Sequence, residues 1–364
     1  MHIAIDARII NSTTGRYIER LLTYLENVDS PHKFTVLVRA KDKDYWTPTK
    51  PNFTVMVADY HQYTFGEQLG FYRFLKQLDA DLVHFCMPQQ PLFYTGPAVT
   101  TVHDLNLLRI TENEGMSLPV LKVKQAIFSQ LLRRVTKRSK AIITPTEYTK
   151  KDLLAFQKVP SERIVVTYES ADLVSQTEDP VSEFIDKKYL LVVGRAETYK
   201  NQRGAIEAHQ LLLHKYPDLH LVIVGKRDET SKNLEAWAHD KGYRNITFFG
   251  FASDAQLAWF YNHAATYVFP TFMEGFGLPG LEAMKHGAPL ASSNATCLPE
   301  VYGDAAVYFD PHDHHDMAEK IDRILSDDTY RQQLITLAKA KAATYSWQRM
   351  ADQTHAVYDA ALEA

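Results

Sequence analysis

The sequence predicts an α/β protein of two doubly wound, Rossmann-like domains facing a central cleft. Three observations predict it. Short apolar strands alternate with amphipathic helices through the first 170 residues, the same rhythm restarts at Tyr189, and a polar stretch, Ala171–Lys188, lies between the two runs. A repeated strand–helix order builds parallel sheets with helices on both faces. Ligands of such sheets sit beyond the carboxyl ends of the strands. At 364 residues the chain is also long for a single core.

In the first half, strands are expected at His2–Ala7, Phe34–Val38, Phe53–Val57, Leu82–Phe85, Ala98–Val102, Ala141–Thr144 and Ile164–Thr167, each an apolar, β-favouring run. Helices are expected at Tyr17–Leu25, Leu69–Leu78, Val120–Lys137 and Lys150–Phe156. In the second half the strands are Tyr189–Val193, Leu219–Val224, Ile246–Phe249, Tyr267–Phe269, Pro289–Ser292 and Ala306–Phe309. The helices there are Gln202–His214, Leu234–Asp240, Asp254–His263, Pro279–His286 and His315–Ser326, with further helix from about Asp328 to Leu362. This divides the chain into an N-terminal domain (1–175), a C-terminal domain (187–345) and a final helix (346–364).

Net charge is −4, which gives no global attraction to nucleic acid. The two cysteines, Cys86 and Cys297, make no disulfide scaffold, and Cys86 reads as a buried thiol. The opening MHIAIDA reads as a strand rather than a signal peptide, and no stretch approaches the roughly 20 apolar residues that span a bilayer. The expected location is the cytoplasm, with peripheral attachment to the membrane as its one variant. That variant rests on residues 119–140, where Lys122, Lys124, Arg133, Arg134, Lys137, Arg138 and Lys140 accompany an apolar stripe of Val120, Val123, Ile127, Leu131 and Val135. A basic amphipathic helix can lie on anionic lipid, although such a stripe more often faces a core.

The most informative stretch is Ala265–Pro289, ATYVFPTFMEGFGLPGLEAMKHGAP. A buried strand leads into a turn with Gly275 and Gly277. A helix follows with Pro279 in its first turn, ended by Gly287 and Pro289. The unpaired N–H groups of such a helix start suit a phosphate. Glu274 and Glu282 flank that point and suit hydroxyls, because an ionised carboxylate only accepts. Together these describe a nucleotide-sugar pocket; a plain βα unit with two exposed glutamates is the alternative.

Three further stretches fall at expected sheet edges. The strand Tyr189–Val193 runs into GRAETYKN, where Arg195 and Lys200 suit a diphosphate, one as a fork and one as a point charge. Ala98–Val102 ends in His103-Asp104. His103 either faces the crevice or is a satisfied structural histidine, and Asp104 can cap the next turn. Gly15 lies in the turn between the first strand and helix, another anion-tolerant start. The run Pro311–Asp316 is rich in His but reads as a polar loop whose Asp313 starts the next helix, not as a metal site.

EGFGLPGLEAM, with Glu274 and Glu282 eight positions apart, resembles the paired-glutamate signature of retaining glycosyltransferases of family 4, which have the GT-B fold. GRAETYKN, TVHDL, TPTEYTKKDL, LPEVYGDAAVYFDP and YSWQRMADQTHAVYDAAL also resemble segments of that family, so the likeness covers nearly the whole chain. It implies a retaining hexosyltransferase, closest to bacterial mannosyltransferases, that moves a hexose from a nucleotide sugar to a saccharide or lipid-linked acceptor. GDP-mannose is the favoured donor; UDP-glucose and UDP-N-acetylglucosamine stay open. By the same likeness Arg195, Lys200 and the N–H groups around Gly277 and Leu278 hold the diphosphate, with Gly15, Gly275 and Phe276 beside the donor. Glu282 holds ribose, Glu274 the transferred sugar, and His103 acts near the reacting carbon. No cofactor or metal is expected, because protein cations replace the divalent ion. Thr13 departs from the family, standing where its first glycine usually is. The competing readings are another enzyme of similar fold, such as a sugar-nucleotide epimerase or a phosphorylase, and a non-catalytic sugar-nucleotide-binding protein.

Overall fold

A computed structural model describes residues 1–12, 14–111 and 116–363. Thr13 lies outside the described residues. The chain forms two compact units. The first comprises Met1–Arg109, Lys122–Glu169 and Ser346–Ala364, and the second Ile110–Leu121 and Ser170–Tyr345, so that the helix Leu118–Arg138 belongs to the first unit from Lys122 onward.

In the first unit seven strands form one parallel sheet. They are β1 (His2–Asp6), β2 (Lys33–Val38), β3 (Phe53–Val57), β4 (Leu82–Phe85), β5 (Ala98–Thr101), β6 (Ala141–Thr144) and β7 (Ile164–Val166), in spatial order β3-β2-β1-β4-β5-β6-β7. Strands β1, β2 and β4 to β6 are almost wholly buried, as expected of parallel strands covered on both faces. The helices are α1 (Gly15–Leu25), α2 (Tyr72–Leu78), α3 (Leu118–Arg138) and α4 (Glu147–Phe156). A π-helical turn, Gly66–Phe71, precedes α2.

Two corrections concern helices of this unit. The side chain of Thr146 accepts from the N–H of Thr149, so α4 starts three residues before the expected Lys150. In α3 the apolar stripe divides. Leu131 and Val135 join Phe128, Leu132, Ile142, Leu153 and Ile164 in a core, whereas Val120, Val123 and Ile127 are more than half exposed. The single stripe read from the sequence is therefore core in its second half and open in its first.

The second unit carries a six-stranded parallel sheet of β8 (Tyr189–Val193), β9 (His220–Val224), β10 (Ile246–Gly250), β11 (Thr266–Phe269), β12 (Leu290–Ser293) and β13 (Val307–Phe309). Its order is β10-β9-β8-β11-β12-β13. Its helices are α5 (Gln202–Leu212), α6 (Glu229–Asp240), α7 (Asp254–His263), α8 (Leu278–His286), α9 (Leu298–Tyr302), α10 (His314–Ser326) and α11 (Asp328–Ala343). Leu190, Val192, Leu221 and Ile223 form its core with Ile206, Leu212, Met317 and Ile321.

Side-chain caps set several helix starts. Asp228 accepts from the N–H of Ser231, which opens α6 five residues before the expected Leu234. Ser253 and Gln256 form a capping box at α7. Asp313 caps α10 as expected. The single closing helix expected from Asp328 to Leu362 is two, because Asp327 caps α11 and the chain turns at Thr344–Ser346 before α12 (Trp347–Glu363). The α12 helix packs on α1 and against β4, β5 and β6 of the first unit. There Tyr358 Oη lies 2.6 Å from Nδ1 of the fully buried His84, whose Nε2 meets Thr101 Oγ1 at 2.8 Å.

Candidate functional site

The order of the second sheet reverses between β8 and β11, which pair directly. The loops that follow these two strands therefore leave the same edge side by side. This is the switch point where doubly wound sheets bind ligands. The first loop carries Arg195 and Lys200, the second Glu274 to Gly277.

Backbone contacts pin the loops together. Phe272 N donates to Tyr199 O at 2.8 Å, and Thr271 Oγ1 donates to Tyr199 O at 3.0 Å. Asn201, in the left-handed region at φ 51°, caps α5 and donates its Nδ2 to Pro270 O and Pro311 O. This frame brings Lys200 Nζ to 2.6 Å from Glu274 Oε1, with side chains 22 % and 12 % exposed. Arg195 is half-exposed and forks between Asp228 Oδ2 at 3.3 Å and Glu197 Oε1 at 3.5 Å. The Asp228 carboxyl lies below its usual value. Burial pushes it up, but the Ser231 N–H and Arg195 outweigh that.

Next comes the glycine turn. Gly277 sits at φ 92°, and a Cβ there would come within 2.4 Å of Tyr302 Oη and 2.8 Å of Leu298 Cδ2. Tyr302 is fully buried and donates to Gly277 O at 2.6 Å, which fixes the entry into α8. Leu278 is the first residue of α8, so its N–H belongs to the orphan first turn that an anion can satisfy. The N–H of Glu274 is held by Thr296 Oγ1 at 3.1 Å, with Thr296 at φ 54°, and the Cys297 thiol donates to Glu274 O at 3.3 Å. Phe276 is buried edge-on against Tyr345, 5.7 Å between rings. Gly275 is buried within the same turn.

Neither glutamate is the exposed group that the plain reading of the sequence supposed. Glu274 is the partner of Lys200. Glu282 is only 5 % exposed and accepts from Tyr261 Oη at 3.3 Å. Lys200, Arg195, Glu274 and the Gly277 turn come together on one edge, and Glu282 stands one turn along α8.

In the first unit His103 follows β5. Its Nε2 meets Cys86 O at 3.0 Å, its Nδ1 lies 3.4 Å from Glu169 Oε1, and Tyr17 packs edge-on at 4.7 Å. Burial pushes the imidazole pKa down, but Glu169, the Cys86 carbonyl and Asp104 together raise it above its ordinary value of 6.5. Asp104 caps the next turn through Asn106 N, as expected. Gly15 has a steric rationale: a Cβ would lie 1.8 Å from Ile10 O, and its N–H donates to Ser12 O instead of remaining open to an anion. The switch point of this sheet, between β1 and β4, holds a buried ion triad that the sequence reading missed. Arg8 bonds Asp6 at 2.8 Å and Glu67 at 3.0 Å. Asp228, Thr271, Thr296, Tyr302 and Glu169 were missed as well. Only Asp228 had a local signal, as a helix-capping residue before Glu229.

Among the described residues, one group has metal-ligand spacing: His32, His355 and Asp359 in the first unit. It does not include the histidines of 311–316.

Residues 14–174 match the family Glycosyltransferase Family 4, and residues 175–341 match Glycosyl transferases group 1. The chain is 32% identical over 276 residues to an Escherichia coli protein named O-antigen chain mannosyltransferase B, covering 72% of this chain and 70% of the relative. It is 30% identical over 229 residues to the serotype-specific mannosyltransferase WbdA of Escherichia coli, covering 58% of this chain but only 27% of that longer protein. The structure of Anabaena Alr3699/HepE in complex with UDP-glucose superposes with a TM-score of 0.75 at 16% identity, over 99% of both chains, which shows a shared fold. The chain belongs to the family 4 and group 1 glycosyltransferases: it is a hexosyltransferase with the GT-B fold.

Proposed function

We propose that this enzyme transfers mannose from GDP-mannose to a saccharide or lipid-linked acceptor, with retention and without a catalytic metal. The observation that carries the reading is the Lys200–Glu274 pair beside Arg195 and the α8 start, at the switch point of the second sheet. Lysine has three N–H donors. One directed at Glu274 leaves two for a diphosphate oxygen and fixes where they point. Arg195 and the first-turn N–H groups of α8 add positive charge on the same edge. In transfer, the bond from the sugar C1 to the diphosphate breaks with its electron pair going to the phosphate oxygen. The acceptor oxygen bonds C1 on that same face, and its proton passes to the departing phosphate. Negative charge grows on the diphosphate, so the protein cations act where the transition state needs them. Glu274 is assigned to the sugar hydroxyls as well as to Lys200, Glu282 to ribose, and His103 to the sugar near C1.

The names of the two Escherichia coli relatives support mannose over glucose; the UDP-glucose complex of the structural neighbour keeps a UDP-sugar as the second reading. A peripheral membrane contact completes the proposal. No helix among the described residues is long and apolar enough to cross a membrane. The open Val120, Val123 and Ile127 of α3, with Lys122 and Lys124 among them, suit an anionic lipid surface where a lipid-linked acceptor would reside.

The test is transfer from a panel of GDP- and UDP-sugars in excess chelator, with the product anomer read by NMR. The reading expects turnover with GDP-mannose and an α-linked product. Turnover confined to UDP-sugars, an inverted anomer, or activity abolished by chelator overturns the corresponding part.

A further inference from the structure

The α12 helix brings a second constellation to the opposite edge of the first sheet. His32 immediately precedes β2 and so stands at the amino end of that strand, away from the carboxyl edge that binds ligands. His355 and Asp359 are one turn apart on α12. His32 Nε2 lies 2.7 Å from Asp359 Oδ1, and His355 Nδ1 lies 3.1 Å from Asp359 Oδ2. One ring nitrogen of each histidine and a carboxylate oxygen lie within 4.8 Å of one another. The two rings stack 5.4 Å apart, both histidines are buried, and the Asp359 side chain is 46 % exposed.

We propose that His32, His355 and Asp359 form a divalent transition-metal site, best suited to zinc, that fastens α12 to the amino end of β2. Two imidazoles and one carboxylate are a zinc-type donor set, and the open side of Asp359 leaves the fourth position to water. Corners of a zinc tetrahedron lie about 3.3 Å apart for bonds of about 2.0 Å. Each histidine meets its own oxygen of Asp359, at 2.7 and 3.1 Å, and with one ligand atom from each residue the three lie within 4.8 Å of one another, so small side-chain adjustments gather one oxygen and two nitrogens around an ion. Both rings can turn a lone pair to the ion. His355 Nε2 is 2.6 Å from Ser30 Oγ and can donate there, which frees Nδ1. Nδ1 of His32 is buried with no partner among the described residues; it can carry the proton and leave Nε2 as the ligand, at the cost of one unpaired buried N–H. Two ligands come from one helical turn, and the third is more than 320 residues earlier in the chain. An ion at this point therefore resists fraying of the last helix. The alternative, two imidazoles donating to one carboxylate with no ion, is an outcome of the test.

The test uses the full chain, stripped by chelator and free of any affinity tag. Zinc is titrated by calorimetry and by thermal unfolding, with magnesium as the comparison ion. The proposal expects one equivalent of zinc bound, a rise in Tm and no effect of magnesium. His32→Gln and Asp359→Asn should each weaken zinc binding at least about tenfold, whereas a His312→Gln/His315→Gln variant should bind as the parent does. Should a variant fail to fold, cobalt added to the unmodified chain reports the site directly: a four-coordinate visible spectrum, displaced by zinc, supports it, and a six-coordinate one overturns it. Absence of a Tm rise, binding that survives both site substitutions, or binding lost with His312 and His315 also overturns it. Transfer measured well below Tm is independent of this site, so failure here leaves the glycosyltransferase reading untouched.

Discussion

Lys200 Nζ and Glu274 Oε1 stand 2.6 Å apart although 74 residues separate them. Their meeting follows from the pairing of β8 with β11, which places the two following loops on one edge. Removing either partner changes the charge presented to the donor without opening a core, because both side chains keep some exposure. Lys200→Ala and Glu274→Ala should each lower kcat/KM by at least about 10²-fold with Tm nearly unchanged. Near-parental activity in both, measured with labelled nucleotide sugar, would remove them from the machinery.

The Gly277 turn depends on a buried hydroxyl. Tyr302→Phe removes the 2.6 Å bond to Gly277 O and should cost about 1 kcal/mol in stability while weakening nucleotide binding. Gly277→Ala meets both the φ of 92° and the Tyr302 hydroxyl, and should cost about 1–3 kcal/mol and most of the donor affinity. Denaturant melts and GDP titration check both; an unchanged GDP affinity in Gly277→Ala would separate this turn from donor binding.

Glu169 governs His103. The folded pKa is above 6.5, so the associated stability is full below pH about 6.5 and is lost as pH rises through the folded value. Glu169→Gln removes the main raising influence and leaves burial, so the imidazole should titrate lower. NMR of the His103 ring checks the direction, and an upward shift would refute it.

Two buried histidines act in the opposite sense. Burial pushes His84 down to about 3 and His209 down to about 4. Their unfolded forms take a proton near 6.5, so this contribution is full above that pH and falls on acidification towards 4. Each adds a slope of up to about 1.4 kcal/mol per pH unit. His209→Gln should flatten the stability–pH curve between about 4 and 6.5, measured by urea melts across that range.

The open half of α3 is testable with vesicles. Val123→Asp and Ile127→Asp remove exposed apolar surface without touching the core formed by Leu131 and Val135. Sedimentation with anionic vesicles should fall several-fold while soluble-acceptor activity stays. Equal sedimentation of parent and variants would exclude this surface.

Much of the fold was legible because its signals are local. A buried parallel strand is a short apolar run, an amphipathic helix repeats with its own period, and the glycine turn before α8 announces itself in sequence. Helix starts were less legible. Thr146 and Asp228 open α4 and α6 earlier than the apolar pattern suggests, since a cap extends a helix into polar sequence. The open half of α3 was illegible because a stripe does not say what covers it.

The sequence alone determined two doubly wound sheets, the positions of Arg195 and Lys200 after β8, and the helix start that follows Gly277. Only the tertiary structure decided that Lys200 pairs with Glu274, that Glu169 stands behind His103, and that Tyr358 carries α12 onto His84. The physical reason is tertiary: β8 neighbours β11, β5, β6 and β7 lie in succession at one side of the first sheet, and α12 returns to that sheet, so residues 66 to 274 positions apart become partners. Periodicity records which face of an element is buried; it carries no information about which distant element buries it.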